Sequence, residues 1–286
     1  MVMIKKPFIK KNSVLCLFAF LFSLFYNANA SHAGFEGDAY RSSYVCTDLK
    51  GKQRWQASVE IRHKEGNVYS IVEKMNGQYS GFDGNISWVA RTDFERNKES
   101  VKPLNMDQQI FDQSGKLIVV NKQDFDYTKK IVICTHKDLI ENTTSTKEFA
   151  FSKEIINRLL QGLYVQKFIE NGITRKEMQV ISPEPALYNI ELKVIGTEPI
   201  EINGRTRNAY KLAFDPQLGL LNFVKTFLPK AYVWHSSEPI FEWLKYRGLE
   251  SSVSSPQVEI ISLDEDVTEP VPGPVAPANN NNTGQQ

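Results

Sequence analysis

Histidine and cysteine are scarce in this 286-residue chain, with four of the first and three of the second. None of the histidines stands at a spacing suited to zinc and there is no paired Cys-x-x-Cys, so no metal site is expected. A glycine-rich phosphate loop and a Gly-x-Ser-x-Gly elbow are also missing, and no cofactor or serine nucleophile is indicated. Basic side chains number 34 against 33 acidic ones. They form no clustered basic footprint, which speaks against a nucleic-acid partner. Past residue 30, no apolar run is long enough to span a membrane as a helix.

The first thirty residues carry the most specific signal. Lys5, Lys6, Lys10 and Lys11 precede an apolar run over residues 13–26, and Ala28-Asn29-Ala30 follows. This order of charge, apolar run and small residues is that of a secretory signal peptide. Cleavage is expected after Ala30, with Ala33 as the second choice and a retained anchor as the alternative. Cys16 lies inside the run and not at a cleavage point, so a lipid anchor is not expected. Residues 264–286 (DEDVTEPVPGPVAPANNNNTGQQ) bury too little apolar surface to offset their ordering entropy and are expected as a disordered tail. Residues 31–263 remain as a single β-rich domain, periplasmic by first choice and secreted by second. Cleavage removes four lysines and no acidic residue, leaving a body near neutrality. It also leaves Cys46 and Cys134. In an oxidising compartment that even count invites a disulfide, against the alternative of two separate buried thiols.

The body reads as strands joined by tight turns. Turn signals stand at Lys50-Gly51, Gly66-Asn67, Asn76-Gly77, Asp83-Gly84, Ser114-Gly115 and Asn203-Gly204. Between them Trp55, Ala57, Val59 and Ile61 share one face of a period-two segment, which predicts a half-buried strand. Similar segments cover 39–48, 67–74, 85–94, 116–121, 129–136, 187–196, 205–214 and 256–262. Hairpin-linked strands predict an antiparallel sheet. One helix interrupts them, expected from about 153 to 170. Ser152 offers the cap, Ile155, Ile156, Leu159, Leu160, Leu163, Tyr164 and Phe168 recur at helical spacing, and Asn171-Gly172 ends the run. A second, short helix is expected over 218–228, apolar around nearly its whole circumference and so needing an apolar surface to pack on.

The stretch 231–250 gathers His235, Ser236, Ser237, Trp234 and Trp243. Alternation at Tyr232 and Trp234, the turn residues 236–239, and alternation from Phe241 to Lys245 predict a hairpin. The serines fall in its turn, where hydroxyls bond local backbone more often than they attack substrate. No catalytic residue is expected. Asp124-Phe125-Asp126 could place two carboxylates on one face, too few ligands for calcium. Asn85, Asn142 and Asn281 begin Asn-x-Ser/Thr sequons.

The run Asn189 to Glu198, the turn and strand from Ile202-Asn203-Gly204 to Ala209-Tyr210-Lys211, Trp234, and Lys245-Tyr246-Arg247-Gly248 together resemble a bacterial exported family of unknown function. The resemblance covers roughly residues 150 to 262. It implies a periplasmic, antiparallel, partly open β-barrel, similar to the lipoprotein carriers LolA and LolB, with one long and one short helix packed on the concave side. Those carriers hold acyl chains in that concavity. The expected function is therefore a non-catalytic binding module for a lipid, acyl chain or other apolar ligand. Leu220, Phe223, Val224, Phe227, Trp234 and Trp243 are the expected ligand-lining residues. The alternatives are a scaffolding protein of the cell envelope with a protein partner and, behind it, an envelope hydrolase.

Overall fold

The computed structural model describes residues 39–217, 229–239, 241–251 and 255–263. The expected signal peptide, the tail and the apolar segment carrying Leu220, Phe223, Val224 and Phe227 lie outside the described residues.

Sixteen strands among the described residues form one sheet. The first half of the chain supplies β1 (Ala39–Asp48), β2 (Gln53–Glu65), β3 (Val68–Gln78), β4 (Asn85–Arg96), β5 (Val101–Pro103), β6 (Asn105–Asp112), β7 (Leu117–Asp126), β8 (Ile131–Asp138) and β9 (Thr143–Ala150). The second half supplies β10 (Ile155–Asn157), β11 (Arg175–Ile181), β12 (Leu187–Ile202), β13 (Arg205–Pro216), β14 (Ala231–Ser236), β15 (Trp243–Leu249) and β16 (Gln257–Leu263). Their spatial order is β10-β11-β12-β13-β14-β15-β16-β1-β2-β3-β4-β6-β7-β8-β9, with β5 beside β4. Every pairing is antiparallel except the short parallel contact of β10 with β11. The halves meet where β1 pairs with β16, from Ser43 opposite Leu263 to Asp48 opposite Val258. The hydrogen-bonded path is open, ending at β9 and β10.

The expected alternation on β2 is present: Trp55, Ala57, Val59 and Ile61 are all buried. The helix differs from its sequence reading at its start. Residues 155–157 are β10, Arg158–Leu160 is a 3₁₀ turn, and the helix, α1, spans Gln161–Glu170. Ser152 does not cap it; the Ser152 N–H donates instead to Gln179 Oε1 at 2.9 Å. Burial explains the misreading, because all of residues 155–169 are buried, so apolar residues recur whatever the local backbone. The expected C-terminal stop is in place: Gly172, at φ +65°, donates its N–H to Ile169 O.

α1 occupies the concave side of the sheet. Its Leu163, Tyr164, Val165, Phe168 and Ile169 pack in one core with inward residues of strands from both halves, including Met75, Trp88, Ile190, Leu212, Val233 and Ile260. A second cluster gathers Val132 and Cys134 of β8, Phe151, Ile155 of β10 and Ile181 of β11, with Phe149 of β9 packed against it. The two ends of the sheet thus meet through side chains, and Gln123 Nε2 crosses the seam to Ser182 O at 2.7 Å.

Two local expectations are corrected. Asn76-Gly77 is no turn: both residues lie inside β3, with Gly77 opposite Trp55 on one side and Ile86 on the other. A Cβ at Gly77 would stand 2.5 Å from Arg54 O and Trp55 Cα, so glycine is required by close backbone approach. Cys46 and Cys134 are both free and buried. They sit in different clusters on β1 and β8, six strands apart, roughly 29 Å along the sheet at about 4.8 Å per strand. A disulfide needs Cα atoms within about 7 Å.

Candidate functional site on the outer face

β14 divides its side chains between the two faces of the sheet. Ala231 and Val233 point into the core around α1. Trp234 joins Ile202, Ala209 and Leu244 in a small cluster on the opposite, outer face, with Ile200, Tyr232 and Ile261 packed against it. A bulge between Trp234 and His235 sets Trp234 opposite Lys245 and His235 opposite Trp243. Trp243 therefore turns inward, edge-on to Tyr44 at 5.0 Å between centroids. The sheet separates the two tryptophans expected to share a ligand.

Around Trp234 the outer face forms a cavity of about 540 Å³. Glu198 and Ile200 of β12, Lys211 of β13, Pro229, Lys230, Tyr232 and Trp234 at β14, Lys245 and Arg247 of β15, and Gln257 of β16 line it. Cross-strand register builds its floor, because Lys211 and Lys245 stand directly opposite Trp234 on either side. Lys211 Nζ lies 5.2 Å from the indole centroid and 4.9 Å from the Tyr232 ring, and Lys245 Nζ lies 5.7 Å from the indole. These are cation–π distances. Trp234 Nε1 donates to Glu198 Oε1 at 2.8 Å, and Lys211 Nζ donates to both Glu198 oxygens at 3.2 and 3.3 Å. The indole bond, backed by Lys211 and Lys245, holds the Glu198 carboxyl below its usual range against the opposing effect of partial burial.

His235 closes the same hairpin without catalytic geometry. It is buried, and its Nδ1–H donates to Phe241 O at 2.7 Å. Burial pushes its pKa down to about 4, so the ring is neutral at pH 7. The Lys-Tyr-x-Gly run has a local reason: Tyr246 donates its hydroxyl to Leu249 O at 2.8 Å, and that hydroxyl occupies the space where a Cβ of Gly248 would project.

Two buried polar hubs support the sheet on which the cavity stands. Glu250, just past β15, accepts from Arg54 Nε, Arg54 Nη2, Trp55 Nε1, and both the N–H and hydroxyl of Ser80. On the concave side Glu73 accepts from Trp88 Nε1 at 2.6 Å and pairs with Arg158, whose guanidinium lies 4.8 Å over the Trp88 ring. Asn157 Nδ2 donates to Thr92 Oγ1 at 2.9 Å, which fixes the entry to α1 a second time.

Neither of the other sites considered from sequence assembles a ligand set. Asp126 Oδ1 accepts from the N–H and hydroxyl of Thr128 and from Lys129 N, and these bonds, led by the hydroxyl, hold its pKa down to about 2. His63 bonds Gly66 O, and His136 bonds Asn121 Oδ1. Among the described residues no group of three or more His, Cys, Asp or Glu side chains could hold a metal ion, and no helix is long and apolar enough to cross a membrane. The sequence reading reached Trp234 but not Glu198, Lys211, Lys230, Lys245 and Arg247. Their outward alternation on adjacent strands was the available signal.

No protein-family model matches the chain, and no curated protein matches it significantly. Among solved structures, the chain is similar to a β-barrel-like protein of a domain of unknown function from Brucella abortus, with 6% identity, 79% of this chain and 96% of that one covered, and a TM-score of 0.47. It is also similar to the hypothetical lipoprotein YmcC from Escherichia coli, with 10% identity, coverage of 81% and 85%, and a TM-score of 0.27. A third, described as exported and as having a YmcC-like fold, comes from Bacteroides fragilis, with 6% identity, coverage of 84% and 97%, and a TM-score of 0.30. At these scores no residue or role passes from those proteins to this chain.

Proposed function

We propose that this chain is an exported, non-catalytic module of the bacterial cell envelope that binds a lipid or other apolar ligand, and that the ligand sits in the outer-face cavity. The observation that carries this reading is the cavity itself. Its volume of about 540 Å³ lies within the range of small-molecule sites, and Tyr232, Trp234, Ile200 and Pro229 give it an apolar wall among charged side chains. The concave side, where a LolA- or LolB-like carrier would hold an acyl chain, is occupied by α1 and its core. Export is supported by the lysine, apolar and Ala-x-Ala order at residues 5–30.

The organic extract of the purified protein tests the reading. A stoichiometric lipid in wild type, lost in Tyr232→Ala and in Trp234→Leu, is expected. A clean extract from every form overturns it. In that case the scaffolding alternative gains, and β9 favours it. Among the described residues this strand ends the sheet, pairs only with β8 and is exposed along almost its whole length. Ile133, Leu139 and Ile140 stand exposed on and after β8. A sheet edge of this kind is a template for strand addition.

A further inference from the structure

The cavity carries a charge bias that its own ion pairs do not cancel. Lys211, Lys230, Lys245 and Arg247 face one lining carboxylate, Glu198. Behind them Glu259 stands 3.1 Å from Lys245 and 3.7 Å from Arg247. Among the described residues two carboxylates therefore serve four cations. The pairs of Glu198 with Lys211 and of Glu259 with Lys245 account for the row that brackets Trp234, and an ordinary surface ion-pair lattice would need no more than that row. Lys230 and Arg247 exceed it. No described carboxylate pairs with Lys230, and Arg247, directly opposite Glu259 on β16, shares that one carboxylate with Lys245, at 3.7 Å against 3.1 Å, with its side chain half exposed.

These charges stand beside apolar surface. Ile200, Pro229, Tyr232 and Trp234 line the same cavity. The ammonium groups of Lys211 and Lys245 are held over the rings, so they are positioned before any ligand arrives, which lowers the ordering cost of binding. A guanidinium and ammonium groups that outnumber their carboxylates, grouped at an apolar wall, match a ligand with a phosphate at one end and hydrocarbon at the other.

We infer that the outer-face cavity takes a phosphate-bearing anionic amphiphile, with the phosphate on Lys230, Arg247 and Lys245 and the apolar part against Trp234, Tyr232, Ile200 and Pro229. This rests on the binding-module reading above and adds the charge of the ligand to it.

The test is calorimetric titration of the full exported chain with three probes: monomeric short-chain phosphatidylglycerol, phosphatidylcholine of the same chain length, and inorganic phosphate. Wild type is expected to prefer phosphatidylglycerol, with an affinity that weakens as salt rises while phosphatidylcholine binding does not. The double variant Lys230→Gln/Arg247→Gln is expected to lose affinity for phosphatidylglycerol by about thirtyfold, from roughly 1 kcal/mol per cation, and to lose less for phosphatidylcholine, whose choline already offsets the charge of its phosphate. Equal, salt-independent binding of both lipids by wild type overturns the anionic assignment and leaves the binding module standing. Binding of neither lipid overturns both. Inorganic phosphate binding as tightly as phosphatidylglycerol overturns the amphiphile, since the apolar wall would then contribute nothing. The salt dependence of wild type decides the matter even if the double variant does not fold.

Discussion

Arg54 and Glu250 lie 196 positions apart in the chain and meet as a two-pronged pair, Nε to Oε1 at 2.6 Å and Nη2 to Oε2 at 2.8 Å. The pair ties the start of β2 to the end of β15 across the pairing that joins the two halves of the chain. Because the same carboxylate also serves Trp55 and Ser80, its removal takes the acceptor from five donors around a buried site. Glu250→Ala is expected to lower unfolding free energy by about 3–5 kcal/mol. Arg54→Ala is expected to cost less, since the carboxylate keeps its other partners. Urea melts followed by tryptophan fluorescence measure both.

The pair between Glu73 and Arg158 is expected to behave differently, because replacing both partners leaves few groups unpaired. Arg158→Met alone buries an unpaired carboxylate and should cost about 3–5 kcal/mol. Glu73→Leu combined with Arg158→Met should recover most of that loss, leaving mainly the Trp88 N–H without its acceptor. A double-mutant cycle in urea gives the coupling directly.

His235 makes stability depend on pH in a defined window. Its folded-state pKa of about 4 lies below the ordinary value of 6.5, so between these values the unfolded chain binds more protons than the folded one. Stability contributed by the neutral ring is fully present above about pH 6.5 and is lost as pH falls toward 4, up to about 3 kcal/mol. A side-chain amide in place of the imidazole carries a donor that can serve Phe241 O without titrating. His235→Asn should therefore flatten the pH profile of stability between pH 6.5 and 4, measured against wild type by chemical denaturation.

Burial raises both thiols of the body, Cys134 to about 12 and Cys46 further. Neither forms thiolate at neutral pH, so both should resist an aqueous thiol reagent until the chain unfolds. Non-reducing peptide maps are expected to show Cys46 and Cys134 unbridged, and adding reductant should leave the melting temperature unchanged.

Strand alternation made much of the fold legible, because β2, β4 and β16 bury one face more than the other and their side chains say so. β9 reads TTSTKEFA and is exposed on both faces, so no apolar period marks it. The end of β11, residues 178–181, is buried on both faces with the polar Gln179 among its apolar residues, so no clean alternation marks it. The start of α1 was hidden by burial as well, since Ile155 and Ile156 are buried in a strand and Leu159 and Leu160 in a 3₁₀ turn before the helix begins. At the candidate site, Trp234 was visible as an aromatic residue in a hairpin. Its cations were not, because Lys211, Lys245 and Arg247 come together only through the register of β13, β14 and β15.

A ligand bound on the outer face of the sheet, as proposed, protects different backbone from one held in the concavity. Hydrogen–deuterium exchange with and without short-chain phosphatidylglycerol tests the outer-face placement most directly. Slower exchange is expected in peptides covering residues 205–216 and 231–249, with peptides covering α1 unchanged. Slower exchange in α1, with none at β14, would contradict the account.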